Sequence, residues 1–596
     1  MGGEMEIGSR SPANVESQNL SPSQSSKPKK VGGWRAIAYI LGNESFEKLA
    51  SMSLVANITV YLRTKYNLSG ILLVNVVTIW FGTANISSIL GAVVSDAFIG
   101  RFLTLLIGTL FSLTGMAAMT LTAAAPSLRP PPCSDDDQPS CRGPHEWQLA
   151  FLFISLGLIA LGAGGIRPCN IAFGADQFDT NTAHGRARLE SFFNWWYLSF
   201  TGALIIALTA VVYVQTEVSW VAGFAIPTAC LLTSVTIFLL GRHVYVYKVP
   251  RGSVFIDVAK VAVAAFKKRK LEMKVTSSAG DLRFHDPPGE DDNDEWEERK
   301  KSRVERFRFF DRAAVIEDGD EVGPAGTWRL CTLEQVENLK CLLGVVPVWV
   351  SGVGCFLVMD QQSTFGILQS IQMDRSLGGG SFEVPPGWMG ISSMIALSIW
   401  ILIYEWMYIP VAKRSRCKRV DPRISMRARI GIGIAMSVAC MAIAGCVERR
   451  RRSLALRRGS FVSSLHVSTL LPQFALSGLT EAFAAVALME FFTRRMPESM
   501  RSVAGAIFFL SLSAASYMSS LIVNVMHSVT GGKGRVGWLG GHDLNLNKLD
   551  NYYFIIAALG VVNFAYFYLF ASKYVPCGEH GESEVEDFSE EITPVK

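Results

Sequence analysis

The sequence predicts an all-α membrane protein with about twelve spanning helices, arranged as two groups of six around a polar linker. Three observations carry that reading. Charged residues make up only 18% of the 596 residues, against about 25% in ordinary soluble domains. Apolar runs near the roughly 20 residues a helix needs to cross a bilayer recur along the chain. A long polar stretch, 242–334, separates the runs into two sets. Soluble domains, disordered chains and fibrous repeats are excluded by the same numbers.

The clearest runs are 102–125, 148–166, 221–241, 388–411, 429–447, 502–526 and 552–571. More broken ones occupy 35–61, 72–96, 192–215, 336–356 and 465–492. The organisation read from them is a disordered tail (1–33), a first six-helix half (34–241), a linker (242–335), a second half (336–574) and an acidic tail (575–596). No apolar leader follows the first residues, and Glu6 stands where a myristoylation signal needs Ser or Thr. Within the linker, Val254, Val258, Val261, Ala262 and Ala265 fall at helical spacing and precede Lys267, Lys268, Arg269 and Lys270. That pattern predicts an amphipathic helix on a membrane surface, or else a plain linker helix. The acidic run 290–298 reads as solvated.

Net charge is +5, from 56 basic and 51 acidic residues, which is too little to argue for nucleic acid or another polyanion. It does orient the chain. Lys413, Arg414, Arg416, Lys418, Arg419 and Arg423 share a side with Arg494, Arg495, Arg501 and the amino-terminal lysines. The bias of Lys and Arg toward cytoplasmic loops puts that side, and both termini, in the cytoplasm. One loop disagrees: Arg449–Arg452, with Arg457 and Arg458, falls outside in this count. Asn67 is the one sequon expected in an outer loop, as a glycan acceptor or an unused site. Cys133 and Cys141 share a polar loop and are either bridged or two free thiols. The eleven cysteines show no metal-ligand spacing, so no metal or cofactor is expected beyond a proton gradient.

The functional candidates are charges inside apolar runs, because an ionisable group at bilayer depth costs about 2.5–3.5 kcal/mol on insertion scales. Glu44 and Lys48 are four residues apart, with Glu47 between them, so one helix face carries two carboxylates and one cation. Two carboxylates sharing one cation do not both ionise easily. A proton carrier needs that property, although a static ion-pair staple has the same composition. Arg167 precedes Pro168 and reads as an anion contact, a partner for the carboxylates or a cation snorkelling at a helix end. Glu481 lies mid-run with no cation within a helical turn. Asp360 begins a polar run through Thr364 that is able to line a cavity, and Lys340, near the start of the apolar run 336–356, reads as a snorkelling lysine. Trp349, Phe356, Trp388 and Phe483 are packing residues or substrate contacts. Asp96 with Arg101 is able to pair across a gate or is a solvated loop pair with no gating role, and Glu405 stands where a counterpart in the second half is expected.

These motifs resemble a known family. The glycines and charges from Gly91 to Arg101 resemble the loop 2–3 signature of the major facilitator superfamily, whose plan is two six-helix halves. Glu44-x-x-Glu47-Lys48 resembles the ExxE[R/K] motif of proton-coupled oligopeptide transporters. The run 162–178 (GAGGIRPCNIAFGADQF) and 192–197 (FFNWWY) resemble two further signatures of that family. The match spans about 34–574. Residues 42–54, 308–314 and 470–483 are similar to the plant nitrate/peptide branch, subfamily 2, near low-affinity nitrate and glucosinolate transporters.

The resemblance implies a symporter with Glu44, Glu47 and Lys48 carrying the proton, and Arg167, Glu481, Asp360, Trp349 and Phe356 around the substrate. It implies gating by Asp96, Arg101 and Glu405, and a plasma-membrane monomer or weak dimer. Thr104 matches a regulatory phosphorylation site of some members, or is an ordinary helix-start threonine. Asp360 stands where nitrate-transporting members use a His, and Arg167 where the family usually has Lys. A permanent cation at 167 favours a small anionic solute, nitrate or a glucosinolate-type glucoside. A peptide, a plant hormone or a non-transporting sensor or channel on the same fold are the alternatives. No nucleophile–base set or nucleotide loop points to an enzyme.

Overall fold

The computed structural model describes residues 32–68, 70–132, 142–178, 182–248, 254–270, 284–285, 307–316, 328–377, 382–415, 424–496, 500–531 and 537–575. Residues 1–31 and 576–596 of the expected tails, the acidic run 290–298 and the Cys133–Cys141 pair lie outside them.

Eleven helices among the described residues are long and apolar enough to cross a membrane. A twelfth, α1 (Gly33–Thr64), is 32 residues long and falls short on composition because it carries Glu44, Glu47 and Lys48. The first half is completed by α2 (Gly70–Ile99), α3 (Arg101–Ala124), α4 (Glu146–Ala175), α5 (Ala183–Ile206) and α6 (Trp220–His243). Two π-helical turns, Ala207–Val211 and Val214–Val218, prolong α5. The lateral helix α7 (Val254–Lys267) lies in the linker. The second half runs through α8 (Leu333–Ile371), α9 (Pro386–Val411), α10 (Met426–Arg458), α11 (Val467–Arg495), α12 (Arg501–Thr530) and α13 (Leu549–Leu569). The end of the bundle where α1 starts is called the near end below.

Local chemistry sets the helix starts. Thr332 caps α8, with Oγ1 accepting from the Gln335 amide and Gln335 Oε1 accepting from the Thr332 amide. Ser425 caps α10 in the same manner through the Ala428 amide, and Gly459, at φ +62°, ends it in the left-handed region. Small residues then let the helices approach. A Cβ on Gly164 would collide with Ser87 of α2, and one on Gly162 or Gly165 with Ser112 or Thr104 of α3. A Cβ on Gly478 of α11 would collide with the Ser393 backbone of α9. Without a hydrophobic drive between helices in lipid, such backbone proximity supplies the packing energy.

The hydrogen bonds between the halves, among the described residues, run from the middle of the bundle to its far end. Thr59 Oγ1 donates to the Ser363 carbonyl at 3.0 Å, Asn75 pairs with Asn524 at 3.0 Å, and Ser513 Oγ donates to the Gly82 carbonyl at 2.9 Å. An Arg63 guanidinium nitrogen donates to the His542 carbonyl in the loop between α12 and α13. The bundle is therefore latched at its far end.

Three expectations are corrected. The apolar face of α7 formed by Val261, Ala264 and Ala265 is covered by Ala313, Ala314, Cys331, Val336 and Leu339 of its own chain rather than by lipid. Lys340 does not snorkel: it is buried, with Nζ 2.6 Å from Asp311 and 2.9 Å from Glu337, which fastens the linker to α8. Asn67 is buried in a left-handed conformation and its amide donates to the Pro131 and Arg142 carbonyls, so it is not presented as a glycan acceptor.

The discordant basic loop also has a physical account. Residues 449–452 belong to α10, which extends to Arg458. Arg451 is wholly buried against Glu448, with N–O distances of 2.8 Å, and donates to Asn545 Oδ1 at 2.8 Å. Arg449 reaches Asp550 at 3.4 Å, and Arg452 Nε donates to the Asn545 carbonyl. Gln369 Nε2 donates to Glu448 and its oxygen accepts from Gln473 and Tyr553, tying α8, α11 and α13 into one network. Much of the far-end positive charge is thereby satisfied internally. Removing one member of a buried pair costs about 3–5 kcal/mol, whereas replacing both with apolar groups costs much less. Arg451→Met or Glu448→Met is thus expected to lower the Tm of purified protein by several degrees, with the double variant melting above either single one. A double variant melting at or below the worse single variant would contradict this network.

Candidate functional site

The charge cluster sits on α1, in the half of the helix that starts at the near end. Glu44 and Glu47 are buried and Lys48 nearly so. Lys48 Nζ lies 3.0 Å from Glu47 and 3.6 Å from Glu44. The second Glu44 oxygen accepts from Asn170 Nδ2 of α4. The α1 helix places the three ionisable groups on one face, and the glycine contacts of α4 bring Asn170 up to them.

Arg167 belongs to the same site. Helix α4 continues through Pro168 to Ala175, so Arg167 is not a helix-end residue and the snorkelling alternative fails. Its Nη1 donates to Asn85 Oδ1 of α2 at 2.6 Å, and its charge is felt by both Glu47 and Lys48 without a direct ion pair. With both carboxylates ionised, Glu44, Glu47, Lys48 and Arg167 sum to zero. One added proton leaves a net charge of +1 in a site of low polarity. Charges taken out of water interact strongly, so that excess has to be matched by an anion or relieved by proton loss.

Glu481 occupies the equivalent place in the second half, three residues after Gly478 as Arg167 follows Gly164. It starts a π-helical turn, Glu481–Ala485, and has no hydrogen-bond or ion-pair partner among the described residues. It borders a cleft of about 590 Å³ lined also by Leu397, Val486, Met489, Glu490 and Phe508, toward the near end of α11. Arg167 and Glu481 form no pair with each other among the described residues. Asp360 of α8 lies beside Ser516 of α12, with Oδ2 buried and unpartnered.

Other expected contacts are corrected. Phe356 is fully buried and stacks edge-on against Phe508 at 5.4 Å inside the second half, so it is core and not a substrate contact. Trp349 donates from Nε1 to the Ile507 carbonyl at 3.3 Å and braces α8 against α12. Arg101 Nε lies 3.5 Å from Asp96, but its Nη1 lies 2.7 Å from Asp176, which also holds Lys248 at 2.8 Å. Asp96, Arg101 and Asp176 belong to the first half and Lys248 to the start of the linker, so in this conformation they brace α2, α3 and α4 against the linker and do not join the two halves. Glu405 is exposed in a π-helical turn with no ion pair among the described residues. The Thr104 hydroxyl is buried and donates to the Gly100 carbonyl at 2.9 Å, the geometry of a helix-start threonine.

Sequence reading missed Asn85, Asn170 and Asp176, although Asn170 and Asp176 fall inside the run 162–178. Only Asn170 carried a readable signal, a polar side chain three residues from Arg167 on the same helix. Arg63 and His542 carried no such signal, because they meet across 479 residues.

Comparisons with known proteins agree with this layout. The POT family model matches residues 102–539. Protein NRT1/PTR FAMILY 2.8 of Arabidopsis thaliana is 53% identical over 572 residues, covering 95% of this chain and 100% of the relative. Protein NRT1/PTR FAMILY 2.12 of the same plant is 43% identical, covering 97% and 96%. The crystal structure of an auto-inhibited POT family peptide transporter superposes with a TM-score of 0.66 at 17% identity, covering 92% of this chain and 98% of that one. The site and fold thus define a multi-pass membrane transporter with the major facilitator architecture. The chain belongs to the POT family, on its NRT1/PTR branch.

The far-end latch makes a pH prediction. His542 is half-buried, and desolvation together with the Arg63 charge pushes its pKa from 6.5 down to about 4. The charged groups around it are Arg63 of α1, Asp543 of its own loop and, beyond Asp543, Arg451 of α10. A base whose pKa is depressed in the closed state favours closure fully above pH 6.5 and progressively less as pH falls toward 4. Spin labels at positions 65 and 546 are expected to move apart over that window, and His542→Gln is expected to flatten the response. Distances that do not change with pH would contradict it.

Proposed function

We propose that this chain is a proton-coupled symporter that imports a small anionic solute, nitrate or a glucosinolate-type glucoside, across the plasma membrane with both termini cytoplasmic. The observation that carries the reading is the zero-sum cluster of Glu44, Glu47, Lys48 and Arg167. Protonation of one carboxylate creates a buried excess of positive charge, and an anion neutralises it. Proton and anion therefore stabilise each other's binding, which is the coupling a symporter needs. Arg167 is a cation that does not itself give up the proton, so the carboxylates and not the arginine switch the anion's attraction on and off.

In this reading the near end is the cytoplasmic end, and the latched far end makes the conformation inward-facing. The substrate leaves through the cleft beside Glu481. Loss of the proton restores the neutral cluster and removes the attraction that held the anion. The halves then rock, the far-end latch opens, and Arg167 and Glu481 change their surroundings near the midplane. A di- or tripeptide remains the second substrate reading, favoured by the peptide-transporter neighbour. Its carboxylate would use Arg167, and its amino group would need an acid such as Glu481.

The test is uptake in oocytes at pH 5.5 and pH 7.4, offering nitrate, dipeptides and glucosinolates in parallel. The account expects acid-stimulated accumulation of an anion, and a loss of about 10-fold or more for Glu47→Gln at normal surface expression. Undiminished acid-driven uptake by that variant would refute the coupling role. Preferential dipeptide uptake would replace the anion reading by the peptide one.

A further inference from the structure

Helix α7 is apolar on two faces, and only one is covered. Val261, Ala264 and Ala265 are buried against the linker and the start of α8. Ala259, Ala262, Val263 and Phe266, spaced i, i+3, i+4 and i+7, form a second stripe that is exposed, with Phe266 61% accessible. At the carboxyl end of this stripe four cations gather. The Arg269 guanidinium lies 4.4 Å from the Phe266 ring centroid, and that of Arg312 lies 5.4 Å from Phe309. Arg312 Nη1 donates to the Arg269 carbonyl at 3.0 Å, and Lys267 Nζ approaches the Trp328 carbonyl at 3.4 Å. Phe309 and Trp328 are exposed as well. Lys267, Arg269, Lys270 and Arg312 make no ion pair among the described residues, and Arg312 Nε is buried without a partner.

A solvated helix face would not be apolar for two turns, and a face buried in acyl chains would not end in four cations. A headgroup interface carrying negative charge satisfies both parts. The placement agrees: Val254 and Phe255, at the start of α7, pack against the side of the second half together with Leu342 and Tyr574. The exposed stripe thus continues the lipid-facing surface of the bundle at its near end.

We propose that the Phe266–Arg269–Arg312–Phe309 patch, with Lys267 and Lys270, binds the headgroup of an anionic phospholipid in the near-end leaflet. Phe266 and Val263 enter the acyl boundary, and the cations hold the phosphate. Because Lys340–Asp311 fastens this part of the linker to α8, lipid bound here grips the first helix of the second half.

The test uses the full chain purified in detergent, mixed with phosphatidylserine and phosphatidylcholine of matched acyl chains, and examined by native mass spectrometry. The wild type is expected to retain phosphatidylserine preferentially. The quadruple variant K267Q/R269Q/K270Q/R312Q is expected to lose that preference by on the order of tenfold, with unchanged Tm and phosphatidylcholine retention. The charge-keeping variant K267R/R269K/K270R is expected to retain it. Equal retention of both lipids by the wild type, or an unchanged quadruple variant, overturns the proposal. So does crosslinking of positions 267–270 to the acidic run 290–298 in lipid-replete protein, since that run would then be the occupant.

Discussion

Two carboxylates and two cations balanced to zero inside the first half are the constraint around which this protein is organised. None of Glu44, Glu47, Lys48 and Arg167 is affordable at bilayer depth alone. Together they require three helices at close range: α1 for the triad, α4 for Arg167 and Asn170, and α2 for Asn85. The glycines at 91, 162, 164 and 165 are the means of that approach, because any side chain there would collide with the neighbouring backbone or side chain. Packing and chemistry are thus one arrangement. The run that brings α4 against α2 and α3 also aims Arg167 at the carboxylates.

The second half answers with a different solution. Glu481 and Asp360 are acids with no ion pair among the described residues, each at or beside a π-helical turn, Glu481–Ala485 and Gln362–Gly366. A π turn opens the regular hydrogen-bond ladder and is a common place for functional hinges. The contact of Arg63 with the His542 loop ties the two halves together at the far end, beside the Glu448–Arg451 network that braces the second half. In the proposed cycle, an added proton in the first half and these acids in the second give a rocking motion an electrostatic reason.

Most of the fold was legible in the sequence because bilayer physics leaves few choices. Length and apolarity identify the spans, and a polar gap of some ninety residues marks the midpoint. The triad was legible because helical periodicity alone puts Glu44, Glu47 and Lys48 on one face. What could not be read was long-range: Asn85 under Arg167, Asp311 under Lys340, His542 under Arg63. Side chains on a single helix announce their spacing but not their neighbours. Phe356 shows the converse, since an aromatic residue in a span looks the same whether it faces a cavity or the core. Arg449–Arg452 stood against the expected orientation for a related reason, because a topology rule counts charges without knowing that Glu448, Asn545 and Asp550 hold Arg449, Arg451 and Arg452.

The central claim is that one proton and one anion share a balanced charge cluster. Its most direct test is the proton uptake that accompanies anion binding to purified protein, measured by calorimetry near neutral pH in two buffers of different ionisation enthalpy. The account predicts uptake of about one proton per transported anion bound, falling to near zero in Glu47→Gln. Anion binding with no proton uptake in the wild type would contradict it.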